Sequence, residues 1–306
     1  MSAGDYKAIW DERAATALGA MLAVDGSADE SVLRATGAYT ASQVRAALEL
    51  ERGDRVLELG CGVARIGREL AGEVAFWHGV DISANMVQHA RARLLGFDNV
   101  FLDVLDGARL PMLADASFDK AYAVAVFIHV DKEDFVLLLH ELWRVLKPGG
   151  RLYFDTWNLA HPIGYRRFEY ELARRAHEPR ARTDGARNQF CTPQEVSIYL
   201  ERAGFERLLL IDDSPQLQAV AQRPGCEDAR SAAHRVALHQ EQIEYGARWA
   251  RLFERHLGIT YAGEHPRAMY AELDANAQDE QTRVYRMWLR SLWRQNEARW
   301  GPAPPD

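Results

Sequence analysis

The sequence predicts an α/β fold: a seven-stranded, mostly parallel sheet with an antiparallel last strand, flanked by added helices. Three observations predict it. From Arg55 onward, short β-rich runs alternate with helical stretches, the sequence form of βαβ units. Closely set glycines, Gly60 and Gly62, join the first run to a helix, and Asp81 follows the second run about twenty residues later. The last two β-rich runs are joined by the tight turn Asp213-Ser214-Pro215-Gln216, which pairs them antiparallel.

Taken in order, residues 1–50 read as an N-terminal helical flank. Ile9, Trp10, Ala14, Leu18, Met21 and Leu22 recur at helical spacing, and Thr40 with Gln43 reads as a capping box before VRAALEL. Residues 51–226 hold the sheet, with strands RVLEL, AFWHGV, NVFLDVL, FDKAYAVAVF and RLYFDTW. Helices are expected near residues 64–71, 83–95 and 131–147; Asp131 caps the last, whose apolar face is Phe135, Leu138, Leu139, Leu142 and Leu146. Lys147-Pro148-Gly149-Gly150 is expected to end that helix and turn the chain.

The alternation lapses over an insertion, 158–190, rich in arginine: Arg166, Arg167, Arg174, Arg175, Arg180, Arg182 and Arg187. Thr192 as cap, Pro193 and Glu195 then start a helix that Gly204 stops, before the strands FERLLLIDD and PQLQAVAQR. Residues 227–306 read as a C-terminal helical extension, broken near 258–266 and carrying Trp249, Trp288, Trp293 and Trp300.

Composition narrows the function. A formal net charge of -7 offers no overall field for phosphates, so nucleic acid is not an expected partner. Cys61, Cys191 and Cys226 are widely spaced and make no CxxC pair, which suits a reduced, cytoplasmic setting and no metal. No apolar run reaches membrane-spanning length and the first residues lack a secretory pattern, so no membrane association is expected.

The segment Val56 to Gly67, VLELGCGVARIG, carries the most chemistry. Gly60 and Gly62 let the backbone pass close to a ligand, the following helix offers N–H groups, and the Asp81 carboxylate can accept both hydroxyl hydrogens of a ribose. Together they describe a nucleoside pocket. A dinucleotide fingerprint would want glycine at position 65, where the chain has Arg65.

At these residues, and over roughly 55–223, the sequence resembles the class I S-adenosylmethionine-dependent methyltransferases, in particular their small-molecule group. The first family motif is matched by Glu58, Gly60 and Gly62, with Ala64 where glycine is usual, a methyl expected to tighten the methionine end. The second is matched by Asp81, Ile82, Ser83 and Met86, and the third by Asp106 and Gly107, the acid implied to meet the adenine amino group. The fourth is SFDKAYAVAVFIHV and the fifth RVLKPGG. The resemblance implies a Rossmann-like fold, S-adenosyl-L-methionine as cofactor, and methyl transfer to oxygen or nitrogen of a small-molecule acceptor. The insertion after strand five is where this family grows a lid over the acceptor.

Reacting groups in open α/β sheets gather beyond the carboxyl ends of the strands. His129 after strand four is the leading candidate for a catalytic base, with Asp155 and His161 at or past the end of strand five beside Trp157 and Asn158. The Asn-Pro-Pro-aromatic motif of related enzymes is absent there, so nucleobase and glutamine amino groups are not expected acceptors. The insertion's arginines, interleaved with Glu169, Glu171, Glu178 and Asp184, read first as a solvated face and second as a carboxylate or phosphate site. Val236, Ile243, Ala250, Phe253 and Leu257, and then Trp288, Leu289, Leu292 and Trp293, read as packed faces or a homo-oligomer seam through the C-terminal helices, ahead of an aromatic wall for an acceptor. The competing readings are an NAD(P)-dependent Rossmann oxidoreductase and a non-catalytic S-adenosylmethionine-binding protein.

Overall fold

The computed structural model describes residues 3–176, 187–225, 229–275 and 278–305. Three helices lead: α1 (Ala3–Arg13), α2 (Ala17–Asp25) and α3 (Glu30–Leu48). Asp29 caps α3 by accepting the Ser31 N–H, and Val32, Leu33, Ala41, Val44 and Leu48 bury one face. Thr40 therefore lies inside α3 and caps nothing; its hydroxyl donates to the Thr36 carbonyl at 2.8 Å. Gly37 lets α3 approach the glycine-loop segment, since a Cβ there would sit 2.5 Å from the Arg65 carbonyl oxygen.

The sheet strands are β1 (Arg55–Leu59), β2 (Phe76–Asp81), β3 (Val100–Val104), β4 (Phe118–Ala123), β5 (Leu146–Asn158), β6 (Phe190–Cys191), β7 (Glu206–Ile211) and β8 (Gln216–Gln222). Their order is β3-β2-β1-β4-β5-β8-β7, with the two-residue β6 paired to β5. β1 to β6 pair in parallel, whereas β8 runs antiparallel between β5 and β7, as the tight turn after β7 dictates. The expected α/β class and its antiparallel last strand are thus present; β6 adds a short strand that lay in the insertion. β4 stops at Ala123, four residues before its expected end, because Ala125 adopts φ 58° and turns the chain out of the sheet. Lys147 to Gly150 open β5 instead of forming a turn.

Between strands stand α4 (Gly67–Leu70), α5 (Ala84–Arg93), α6 (Lys132–Val145), α7 (Pro162–Arg175) and α8 (Pro193–Arg202). α6 is capped by Asp131 and buries Phe135, Leu138, Leu139 and Leu142, and α8 has the full Thr192–Glu195 capping box, both as the sequence implies. α4 is a single turn followed by a 3-10 turn, much shorter than expected, so its dipole is small. The first half of the insertion is helical, with His161 as the cap of α7: its Nδ1 accepts the Ile163 N–H at 3.2 Å. The rest of the expected lid, residues 177–186, lies outside the described residues.

The extension comprises α9 (Ala229–Leu257), a π-helical turn (Gly258–Ala262), α10 (Arg267–Ala275), α11 (Glu280–Arg294) and α12 (Glu297–Trp300). It folds back on the N-terminal helices: Trp288 Nε1 donates to the Asp25 carbonyl at 2.9 Å, and Ser27 and Ser291 share a buried hydrogen bond of 2.7 Å. The α9 face differs from the expected one. Phe253 and Leu257 are buried, but Val236 and Ile243 are 61% and 40% exposed. Among the described residues, no helix is long and apolar enough to cross a membrane.

Candidate functional site

One cavity of about 660 Å³ lies across the carboxyl ends of β1, β2, β4 and β5 and is flanked by the N-terminal and C-terminal helices. A volume of that size suits a small ligand or a cofactor with its substrate. Glu58, Gly60, Gly62, Asp81, Ile82, Met86 and Gly107 line one end together, with His129 and Asp155 on the same cavity.

At that end, β1 runs into a loop whose Gly60 and Gly62 have φ 69° and 50°, a region that favours glycine. A Cβ on Gly60 would meet Val126 at 2.3 Å, and one on Gly62 would meet Val24 at 2.8 Å. Asp81 at the end of β2 ties this loop down: its Oδ2 accepts the Gly62 N–H at 2.8 Å and its Oδ1 accepts the Ser83 N–H at 2.9 Å. Burial pushes the Asp81 carboxyl up to about 6 despite those two N–H donors, so further donors would stabilise its charge. Burial also pushes Glu58 up to about 8, although Tyr122 donates to its Oε2 at 2.6 Å. Ala64, in left-handed conformation at φ 56°, is fully buried and does not line the cavity, so its methyl does not tighten the ligand space.

Two expected residues stand elsewhere. The Asp106 side chain is 99% exposed, 3.8 Å from Lys7, and does not line the cavity, although its neighbour Gly107 does. His161 is taken up as the α7 cap and also lies outside it. His129 sits on the loop between β4 and α6, edge-on to Trp10 at 5.0 Å, with Nδ1 3.4 Å from the Arg187 carbonyl. Asp155 is buried in β5 and accepts the Ala125 N–H at 2.7 Å; burial pushes its carboxyl up to about 6.

The remaining wall combines residues expected first to pack, Trp249, Phe253 and Trp288, with His256 and Tyr285, which the sequence reading did not single out. Trp249, Phe253 and His256 of α9 and Tyr285 and Trp288 of α11 line the cavity, whereas Trp293 and Trp300 are core. Tyr6 and Trp10 of α1 line it as well. Arg167 of the insertion faces the cavity instead of solvent, bound to Glu171 at 3.0 Å with its guanidinium 5.6 Å from the Trp157 ring centre. Among the described residues, no group of three or more His, Cys, Asp or Glu side chains is placed to hold a metal ion.

A Rossmann-like sheet with a buried acid at the end of β2 beside a glycine loop is an arrangement that suits a nucleoside cofactor. Residues 56–150 match the family described as methyltransferase domain. Methyltransferase GfsG of Streptomyces halstedii is 36% identical over 39% of this chain and 44% of its own length. O-methyltransferase resE of Aspergillus sclerotiorum is 34% identical over 42% of this chain and 48% of its own. Demethylmenaquinone methyltransferase of Tropheryma whipplei (strain Twist) is 32% identical over 52% of this chain and 69% of its own. The chain thus spans less than half of the first two relatives. It belongs to the S-adenosylmethionine-dependent methyltransferases, its cofactor is S-adenosyl-L-methionine, and the nicotinamide alternative falls.

The residues present fit that cofactor. Asp81 is a buried carboxylate suited to a ribose diol; Ile82, Met86 and Leu105 are apolar and line the same cavity; Gly60 and Gly62 line it with backbone alone.

Proposed function

We propose that the protein transfers a methyl group to a small-molecule acceptor, at oxygen in preference to nitrogen. The observation that carries this reading is the continuity of one cavity from the glycine loop and Asp81 to the chamber of Trp249, Phe253 and Tyr285. S-adenosyl-L-methionine supplies an electrophilic methyl carbon when bound. The chain's own residues then place an acceptor in line and exclude water. A hydroxyl acceptor must lose a proton, and His129 on the cavity wall is the group proposed to take it through a ring nitrogen. Asp155 acts beside it by fixing the loop that carries His129 through the Ala125 N–H. The name of the Aspergillus relative, an O-methyltransferase, supports oxygen. Asp106 and His161 have no role in this scheme.

The test is incubation with methyl-deuterated S-adenosylmethionine and a panel of hydroxylated and amine-bearing small molecules, read by mass spectrometry. A deuterated methyl on an oxygen, with matching S-adenosylhomocysteine, is the expected result. Cofactor binding without labelled product on any acceptor would overturn the reading in favour of a binding protein.

A further inference from the structure

The C-terminal side of the cavity holds polar groups that no described residue answers. α9 carries Trp249, Phe253 and His256 at i, i+4, i+7 spacing, and α11 carries Gln281, Tyr285 and Trp288 at the same spacing. Each trio therefore occupies one helix face, and both faces line the cavity. The rings make a continuous wall: Trp249 stacks on Phe253 at 5.1 Å, Phe253 on His256 at 5.8 Å, and Tyr285 lies against Trp288 at 5.3 Å.

Set in this wall, Trp249 Nε1, His256 Nδ1, Gln281 Nε2 and the Tyr285 hydroxyl are shielded from solvent with no hydrogen-bond partner among the described residues. Native proteins leave few such groups, and several on one wall call for a ligand. The indole N–H and the amide NH₂ only donate, and the phenol can donate too. Gln281 cannot turn its amide round at no cost, because its Oε1 already accepts from Arg248 Nε at 3.0 Å. Burial pushes His256 down to about 3, so its ring is neutral. Arg167, beside this wall over Trp157, has its charge met by Glu171. The wall is aromatic, uncharged and richer in donors than in acceptors.

We propose that α9 and α11 form the acceptor subsite, and that it takes a flat, uncharged, conjugated molecule whose carbonyl or phenol oxygens accept from Trp249, Gln281 and Tyr285. The fate of that molecule rests on the methyl-transfer reading; its binding does not.

The test uses the full chain saturated with S-adenosylhomocysteine and 1,8-dihydroxyanthraquinone as probe, read by calorimetry. Tyr285→Phe keeps the ring and removes one donor; Trp249→Phe removes the indole N–H together with one of the two fused rings. Each is expected to weaken the probe about 3- to 10-fold, the worth of a hydrogen bond, while S-adenosylhomocysteine affinity stays within about twofold. Because Tyr285→Phe deletes an unpartnered buried hydroxyl and no carbon, the melting temperature of that free variant should hold or rise, which loss of a structural contact would not give. Anthracene, with no oxygen, should bind more weakly than the quinone, and equally to wild type and Tyr285→Phe. Wild-type affinity for the quinone in both variants, or anthracene binding as tightly as the quinone, would overturn the subsite. So would tighter binding of anthraquinone-2-carboxylate that Arg167→Met abolishes, which would mark an anion site. Correct probe behaviour without methylation of any acceptor sinks the transfer reading alone; methylation with unchanged probe binding in both variants sinks the subsite alone.

Discussion

The Asp155 carboxylate accepts the backbone N–H of Ala125 at 2.7 Å, bridging from β5 to the loop that leaves β4 and carries His129. Ala125 is held there at φ 58°, a conformation an alanine rarely adopts unaided. In Asp155→Asn the amide oxygen still accepts that N–H, so turnover should stay within about tenfold of wild type, while Asp155→Ala should lose about 100-fold. Equal losses in the two variants would make the charge, and not the loop, the contribution of Asp155. Stability moves the other way. Burial raises this carboxyl from 3.8 to about 6, so its contribution is fully present below about pH 4 and is lost as pH rises through about 6. Denaturant titrations at pH 8 should therefore find Asp155→Asn more stable, by on the order of 2 to 3 kcal/mol.

Asp81→Ala should weaken S-adenosylhomocysteine by about 1.5 to 3 kcal/mol, the worth of hydrogen bonds to a charged group. Its carboxyl, raised by burial to about 6, is the better acceptor when ionised. Wild-type affinity should accordingly fall as pH drops through about 6, up to about tenfold per pH unit for one proton, and Asp81→Asn should flatten that dependence. Calorimetry between pH 5 and pH 8, taken as about one unit either side or more, decides it; an unchanged affinity in Asp81→Ala removes the ribose role.

His129→Ala should lower turnover about 100-fold and leave cofactor affinity within a few-fold, as removal of a general base does. A variant that turns over like wild type would make His129 a loop residue and point to an amine acceptor that needs no base.

The glycine loop and Asp81 were legible in the sequence as neighbours because they are local: Gly60, Gly62 and Asp81 fall within one strand-helix-strand unit, and the Gly62 to Asp81 hydrogen bond follows from that spacing. Asp106 shows the limit: motif order places it after β3, but the backbone turns its side chain to solvent. The acceptor wall was not legible. On α9 the stripe Gln242, Tyr245, Trp249, Phe253, His256 has helical spacing, yet the aliphatic Val236 and Ile243 drew the packed face to a side that is exposed. Aromatic residues with polar tips suit a core, a surface or a cavity equally. Only the return of α11 onto α2 and α3, through Trp288 and Ser291, encloses them.

Glu171 is the node that fastens the insertion to this wall. Its buried carboxylate receives Arg167 at 3.0 Å, Arg175 at 3.1 Å, Asn188 at 2.8 Å and the Tyr261 hydroxyl at 3.3 Å, so α7, the segment before β6 and the turn after α9 meet on one side chain. Burial alone would raise this carboxyl, but Arg167, Asn188 and Arg175 outweigh it and hold it below the ordinary value of 4.5. The stabilisation is therefore present above about pH 4.5 and is lost as pH falls through the lower folded value. Removing one partner of a buried ion pair strands the other, so Glu171→Ala should cost about 3 to 5 kcal/mol at pH 7. At roughly 2 to 4 °C per kcal/mol, that is a drop of about 6 °C or more in melting temperature. Glu171→Gln keeps one acceptor for Asn188 and should cost less. Both variants should narrow the gap to wild type as the pH is lowered, because wild type then loses the charge they lack. A melting temperature within about 1 °C of wild type at pH 7, far below that expectation, would show that the insertion is fastened by its packing on Trp157 and Phe253 and not by Glu171.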